Sequence, residues 1–430
     1  MTVKKLIEKI EGEAELDFAF KEGLIEDVKI RFGFYRGIEE ILSGKAPRDA
    51  LVITPRVCGI CNHAHLIAAV HAIENGYENA GIKVDLTPKA KAIREFTLAC
   101  ELIQNHIKWL YLTILPQFER LAGVQSEENH ALKANFLSTK ITKALAIFAG
   151  QWPHSSYVVP GGVTCDPTYV DVMQAEGLLD EAVRFFEQVM AGMPLDAYLS
   201  IASVSGLSKI GGDTGRLLHG LGSEGMAKCG HSHDRFIVFG EGIGFHAGKS
   251  IATTVSNVDV RYVEESEQSG SFAKAVMYKG RQYETGPLAR GMVAKNPIIK
   301  SLHKRYKDSL LTRVFARIHE VALLLEYTKS LLRQIDVTEA SCTLESKLLA
   351  TDFEGSGIVE AARGSLVHKT AVKAGRITKY EIIVPTQWNL SHGSQEERGV
   401  AVEAMVGAES IEKASFIFRT FDVCSVCTTQ

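Results

Sequence analysis

Four cysteines stand in two pairs near opposite ends of this sequence. Cys58 and Cys61 lie in "RVCGICNHAH", and Cys424 and Cys427 lie in "DVCSVCTTQ". Thiolates are soft ligands, and four of them suit zinc, iron or nickel rather than magnesium or calcium. The two pairs therefore predict a metal site that joins distant parts of the chain.

Two kinds of metal site fit this pattern. Structural zinc sites usually close loops of about 10–20 residues between their cysteine pairs. Here Cys424 lies 363 positions after Cys61, so the site has to form inside a larger folded core. This spacing favours a buried functional metal and leaves a structural zinc open.

The residues around the first pair favour ionised sulfur. Cys58 and Cys61 immediately precede a predicted helix that begins near Ala64, and a helix N-terminus lowers the pKa of a thiol. Arg56 adds positive charge beside them. His65 lies one turn beyond Cys61, where it can donate a hydrogen bond to the site.

The other cysteines are scattered, and we expect them to be small buried apolar residues. They are Cys100, Cys165, Cys229 and Cys342. The segment "CGHSHD" also offers His231 and His233 beside Cys229, but no fourth ligand stands nearby. We therefore expect no metal there.

Composition is that of an ordinary globular chain. Its 430 residues are 46% hydrophobic with a net charge of -3, which gives no electrostatic case for nucleic acid. The first residues carry acids where a secretory signal needs an apolar stretch, and no apolar run approaches the ~20 residues of a membrane span. We expect a cytoplasmic protein that reaches a membrane only through a partner. With no internal repeat or linker, residues 1–430 are predicted to form a single compact domain.

Periodicity predicts a mainly α, α+β fold with a central bundle of long helices and peripheral antiparallel hairpins. "AELDFAF" and "LIEDVKIRF" read as a hairpin, followed by a short helix ending at Gly44. The helix after the first cysteine pair is expected to stop at Gly76, and a longer one to end at Pro116. A third helix carries the stripe Val314 to Leu332. "FAKAVMY" and "GRITKYEIIVP" read as strands.

The two cysteine segments resemble the RxCGxCxxxH and DPCxxCxxH signatures of the large, catalytic subunit of [NiFe] hydrogenases. Six further segments resemble motifs of that family in the same order, and the resemblance spans residues 9–430. They are "KIEGEAEL", "RGIEEILSGKAPRD", "PHSSYVVPGGVT", "TGPLARG", "GSGIVEAARGSLVH" and "VPTQWNLS". Structural zinc is disfavoured by this match.

The resemblance implies a Ni–Fe centre held by all four cysteines. Cys58 and Cys424 would be terminal nickel ligands, and Cys61 and Cys427 would bridge nickel and iron. The iron would carry carbon monoxide and cyanide, installed by maturation proteins. The family also implies the large-subunit fold for this chain.

The resemblance also assigns roles around the metals. Glu11 would relay protons, and Arg363 would lie over the metals with Asp422 as its carboxylate companion. Thr386 would donate a hydrogen bond to a cyanide on iron, and His65 is the second candidate cofactor-binding residue.

A second, hard metal is implied near the second cysteine pair, usually magnesium. Glu39 matches one of its ligands. Gln430 stands where the family has a histidine, so we expect its side-chain oxygen, directly or through a water, to reach that metal.

Several positions depart from the family pattern. Ala362 and Val423 replace prolines, Asn105 stands where an aspartate is expected, and residues 391–394 read "SHGS" instead of SPRD. None of these changes removes a cysteine ligand, and they indicate a compact, divergent branch.

The resemblance implies reversible splitting of hydrogen into protons and electrons. The alternatives are a hydrogen sensor with low turnover and a relative of the quinone-reducing subunit of respiratory complex I, which lacks the cysteines retained here. Because no further cysteine cluster could hold an iron–sulfur centre, a separate iron–sulfur small subunit is expected as the partner in a heterodimer.

Overall fold

The computed structural model describes residues 2–7, 13–124, 128–240, 249–251, 255–344 and 351–424. Three predicted site residues, Glu11, Cys427 and Gln430, lie outside the described residues.

Helices dominate the described part of the chain. The α-helices are α1 Ile38–Leu42, α2 Ala50–Ile53, α3 Asn62–Asn79, α4 Pro88–Trp109, α5 Leu115–Ala122, α6 His130–Ala149, α7 Tyr169–Phe185, α8 Leu195–Leu199, α9 Gly212–Ser223, α10 Pro287–Val293, α11 Pro297–Tyr306, α12 Leu310–Leu332, α13 Pro385–Leu390, α14 Val400–Met405 and α15 Ile411–Thr420.

The long helices α4, α6, α7 and α12 pack against one another and confirm the predicted central bundle. Their starts are capped by side chains, as expected for helices whose first N–H groups need acceptors. Thr87 accepts from the backbone of Ala90 at the start of α4, and Ser309 accepts from Thr312 at the start of α12. Within the chain segments that the structure describes, no helix is long and apolar enough to cross a bilayer.

The strands form small antiparallel sheets around this bundle. They are β1 Thr2–Ile7, β2 Ala14–Lys21, β3 Leu24–Arg31, β4 Val158–Val159, β5 Gly162–Val163, β6 Phe236–Val238, β7 Lys249–Ile251, β8 Val255–Asn257, β9 Val263–Gln268, β10 Ser271–Tyr278, β11 Phe353–Ala361, β12 Gly364–Lys373 and β13 Arg376–Ile383. The predicted hairpin is β2–β3, and the predicted strands are β10 and β13, so these predictions are confirmed.

The sheet β11–β12–β13 lies directly against α3. Two glycines of β11 allow the close approach, because an added Cβ at Gly357 would stand 2.0 Å from the carbonyl oxygen of Ala68. At Gly355 it would stand 2.1 Å from the carbonyl oxygen of Ala72. This crossing brings a late part of the chain against the helix that follows Cys61.

The prediction that Gly76 stops the first long helix is wrong, because α3 continues to Asn79. Gly76 lies at the crossing with β11, and an added Cβ there would stand 2.1 Å from the ring of Phe353. The glycine serves packing between a helix and a strand.

The prediction that Pro116 ends the second long helix is also wrong. A π-helical stretch, Leu110–Ile114, follows α4, and α5 then continues through Pro116. Proline is tolerated in the first turn of a helix because its missing N–H is not needed there. The chain leaves the helix at Gly123, in the left-handed conformation with φ 66°.

Candidate metal centre

Three cysteines from distant parts of the chain converge in the core. Cys58 follows the 3₁₀ turn Thr54–Val57, Cys61 precedes the first residue of α3, and Cys424 follows α15. Their sulfur atoms all lie within 4.8 Å of one another, and those of Cys58 and Cys424 are 3.6 Å apart. Across the described ranges, no other group of three or more histidine, cysteine or acidic side chains converges in this way.

Backbone donors face the sulfur of Cys58. The N–H of Ile60 lies 3.4 Å and that of Cys61 3.3 Å from this sulfur. Hydrogen bonds from N–H groups and the start of a helix both favour the thiolate over the thiol. All three cysteines are buried, so their sulfurs are shielded from water and suited to a soft metal ion.

Arg363 reaches the cysteines from the tight turn between β11 and β12. Its Nε donates to the Asp422 carbonyl and its Nη2 to Asp422 Oδ1, both at 3.0 Å. Burial opposes the positive charge, but the Asp422 carboxylate and the sulfurs of the three cysteines raise the pKa of Arg363. The following residue, Gly364, has φ 133° and lies against Thr285, which accounts for a glycine at this turn.

Asp422 is shared with a second arginine that the sequence did not single out. Arg317, from the middle of α12, donates from Nη1 to Asp422 Oδ2 at 2.7 Å. The guanidinium of Arg317 also lies over the ring of Trp109, 4.8 Å from its centroid. Burial lowers the pKa of Arg317 to about 10. Asp422 itself has φ 64°, uncommon for a residue other than glycine.

A small cavity of about 10 Å³ adjoins Cys61. Its lining residues are Cys61, His65, Ala361, Arg363, Leu366, Val384, Pro385 and Thr386. Arg363 Nη1 and Thr386 Oγ1 are buried there and have no hydrogen-bond partner among the residues described. Unsatisfied buried donors are rare in folded proteins, so these two atoms fit small polar ligands on a metal beside Cys61.

His65 also lies at this cavity. Its Nδ1 is 3.0 Å from His368 Nε2, and His368 Nδ1 is 2.9 Å from the Tyr380 hydroxyl. Burial lowers the pKa of His65 to about 4, so the ring is neutral at physiological pH.

Glu101 is a further residue at the site that sequence reasoning missed. Its two carboxylate oxygens accept from the backbone N–H groups of His63, at 2.7 Å, and Ala64, at 3.0 Å, in the first turn of α3. Burial raises the pKa of Glu101 to about 7, although these donors hold it down. The sequence did carry a signal for Glu101, since it is an acidic residue within the apolar stripe of α4. Asn105, one turn later, donates to the Ile60 carbonyl at 2.6 Å.

We expect Glu101→Gln to lower the free energy of unfolding by about 1–3 kcal/mol, the usual effect of leaving a buried donor unsatisfied. Glutamine retains one acceptor oxygen and turns an NH₂ group toward a backbone N–H. Denaturant titration measures the change, with the exposed Glu176→Gln on α7 as control. Equal stability of the two variants would show that Glu101 does not anchor α3.

Glu39 lies apart from the cysteines, on α1 against β13. Its Oε1 accepts from the Ile382 N–H at 2.6 Å, and its Oε2 is 4.0 Å from the Lys274 ammonium. Burial raises the pKa of Glu39. A hard cation such as magnesium takes about six oxygen ligands. The described residues alone do not fit that requirement, and Gln430 lies outside them.

The cluster around Cys229 does not converge. Cys229 donates to the Met226 carbonyl, His231 contacts Asp308 and His233 contacts the Arg398 carbonyl. The expectation that the scattered cysteines are buried is confirmed for Cys100 alone. Cys165 and Cys229 are half-buried and Cys342 is exposed, because sequence spacing does not report where a loop cysteine points.

Comparisons with known proteins agree with this geometry. Residues 36–115 and 244–429 match the nickel-dependent hydrogenase family. The large subunit of the periplasmic [NiFeSe] hydrogenase of Desulfomicrobium baculatum is 26% identical, with 93% of this chain and 88% of that protein covered. The alpha subunit of sulfhydrogenase 1 of Pyrococcus furiosus is 26% identical, with 99% of this chain and 96% of that protein covered.

Solved structures show the same fold. The reduced Ni-Fe-Se hydrogenase from D. vulgaris Hildenborough superposes with a TM-score of 0.83 at 22% identity, with 100% of both chains covered. The helical bundle with its small antiparallel sheets is therefore the fold of a hydrogenase large subunit.

Proposed function

The chain belongs to the nickel-dependent hydrogenase family, and from this premise we propose how its residues carry out hydrogen oxidation. It is a catalytic large subunit, an oxidoreductase that acts on H₂ with a small-subunit partner. The observation that carries the proposal is the convergence of three buried cysteines from both ends of the chain beneath Arg363.

The cysteines hold the metals. Cys58 and Cys424 would hold nickel, and Cys61 and Cys427 would complete the Ni–Fe site. When bound, the Ni–Fe centre supplies the Lewis-acidic, redox-active metals at which H₂ is split into two protons and two electrons. Glu11 is the proposed base that carries protons away from the sulfurs.

Arg363 and Thr386 are proposed to bind the ligands of the iron. Carbon monoxide and cyanide on iron are small, and the cavity beside Cys61 has apolar walls with two buried donors, Arg363 Nη1 and Thr386 Oγ1. An acceptor such as the nitrogen of cyanide satisfies these donors. Asp422 and Arg317 hold the guanidinium of Arg363 in place.

The small subunit is proposed to carry iron–sulfur clusters and to dock on the surface nearest the first cysteine pair. Four large apolar side chains are exposed there, which is typical of a protein interface; they are Phe34, Tyr35, Ile41 and Val52, each 47–63% exposed. Arg36, in the same segment, donates to the carbonyls of Arg56 and Val57. This surface therefore adjoins the residues that lead into Cys58.

Other features remain predictions. The magnesium ion near Glu39 and Gln430, the maturation proteins and the cytoplasmic location are expected from the resemblance or the sequence. Residues 1–430 are likewise proposed to form one compact domain. No observation favours the alternative of a hydrogen sensor.

The decisive experiment is metal analysis with infrared spectroscopy on the protein purified with its small subunit after expression with hydrogenase maturation machinery. We expect about one nickel and at least one iron per chain, together with stretching bands of carbon monoxide and cyanide. Soft thiolate ligands and the donor-lined cavity are the reasons. One zinc per chain with no nickel would overturn the proposal.

A further inference from the structure

Three buried side chains form a hydrogen-bonded series that begins at the cavity beside Cys61. His65 on α3 contacts His368 on β12, which contacts Tyr380 on β13, with distances of 3.0 and 2.9 Å. Their exposed fractions are 1%, 0% and 5%. Because the three groups are shielded from water, the direction of each hydrogen bond is set within the series.

The central group of the series, His368, carries a single ring proton, because burial lowers its pKa well below the usual value and keeps the ring neutral. His65 Nδ1 and His368 Nε2 lie 3.0 Å apart, so one of these two nitrogens donates and the other accepts. Burial raises the pKa of Tyr380, so its hydroxyl keeps its proton. In a neutral imidazole one nitrogen donates and the other accepts. Only two proton arrangements are therefore possible along the series.

The Tyr380 hydroxyl decides between these arrangements. Among the described residues, His368 is its only hydrogen-bond partner. If the hydroxyl did not donate to His368 Nδ1, its buried O–H would be unsatisfied, which is unfavourable. Donation leaves the proton of His368 on Nε2, and this N–H then donates to His65 Nδ1. The proton of His65 therefore resides on Nε2.

We propose that Tyr380 is a positioning residue which, through His368, fixes His65 in the tautomer that presents Nε2–H to the cysteine thiolates of the metal centre. An N–H is attracted to a thiolate, whereas a nitrogen lone pair is repelled by it. His65 and Cys61 line the same cavity, which places the ring beside the cysteine cluster. The inference rests on the proposed function only in taking the cysteines as thiolate ligands of a metal.

The tautomers can be measured directly in the purified complex with the small subunit, labelled with ¹⁵N-histidine. Correlation spectra between ring protons and nitrogens show which nitrogen is protonated, and His65→Gln identifies the His65 signals. We expect Nε2–H at both His65 and His368 in the unmodified protein. A proton on Nδ1 of either ring overturns the proposal.

Tyr380→Phe tests the origin of the tautomer because it removes only the hydroxyl. We expect mixed tautomers at both histidines, shifted infrared bands of the diatomic iron ligands, and hydrogen turnover about 10–100-fold lower, as for other changes behind metal ligands. Tyr198→Phe is the matched control, since the buried Tyr198 hydroxyl has no partner in the described chain.

Unchanged tautomers and infrared bands in Tyr380→Phe would overturn the inference. If that variant does not fold, the spectrum of the unmodified protein decides. A protein with Nε2–H at both histidines but no hydrogen turnover would contradict the proposed function and leave the inference standing.

Discussion

Replacing Cys424 with serine is expected to remove nickel and abolish hydrogen oxidation. Cys424 is fully buried, and its sulfur lies 3.6 Å from that of Cys58, so the two sulfurs are placed to bind one metal ion. A serine hydroxyl is a harder, poorly ionised ligand and does not replace a thiolate for a soft metal. Substitutions of residues that orient metal ligands already reduce metal affinity 10–100-fold. Loss of a ligand itself should therefore lower nickel affinity by more than about 100-fold.

Nickel and iron per chain, measured by mass spectrometry, and hydrogen uptake are the readouts for Cys424→Ser. Cys342→Ser is the matched control, because Cys342 is exposed and lies outside the cysteine cluster. The control should retain both metals and full turnover. A Cys424→Ser protein with about one nickel and normal uptake would remove Cys424 from the metal centre.

Replacing Arg363 with lysine is expected to leave the metals bound and to lower hydrogen turnover about 10²–10³-fold, the effect of removing one preorganised donor from an active site. The guanidinium donates through Nε and Nη2 to Asp422 while Nη1 remains available at the cavity. A lysine ammonium retains the charge but does not reproduce this planar fork.

The matched control for Arg363→Lys is Arg313→Lys. Arg313 is also buried and donates to both carboxylate oxygens of Glu284, at 2.8 and 2.9 Å. Both variants should unfold at lower temperature, but only Arg363→Lys should slow hydrogen oxidation per bound nickel. Equal turnover in the two variants would limit Arg363 to a structural role.

Features encoded by short-range spacing were predicted well. The cysteine pairs, the hairpin β2–β3 and the helix α12 each depend on residues that lie close together in the sequence. The errors at Gly76 and Pro116 have a common cause. A local rule for ending helices was overridden by contacts with a distant strand at Gly76 and by a π-helical stretch before Pro116.

The network behind the metal ligands was not predictable in the same way. Arg317 and Glu101 lie on helices whose apolar stripes gave the periodic signal, and nothing local marks their partners, Asp422 and the start of α3. Tyr380 was read only as part of a strand. These roles depend on pairs separated by tens to hundreds of residues, and a single sequence does not report such pairs.

The cysteines of the metal centre come from segments near both ends of the sequence, so they are synthesised at different times. Ribosomes add about 5–20 residues per second, so Cys424 emerges roughly 20–70 s after Cys61. During that interval Cys58 and Cys61 form a half-site with two thiolates, which any available soft cation, zinc included, can occupy. Faithful loading with nickel therefore requires that the half-site be shielded, or the metal be supplied, until the final helix has docked.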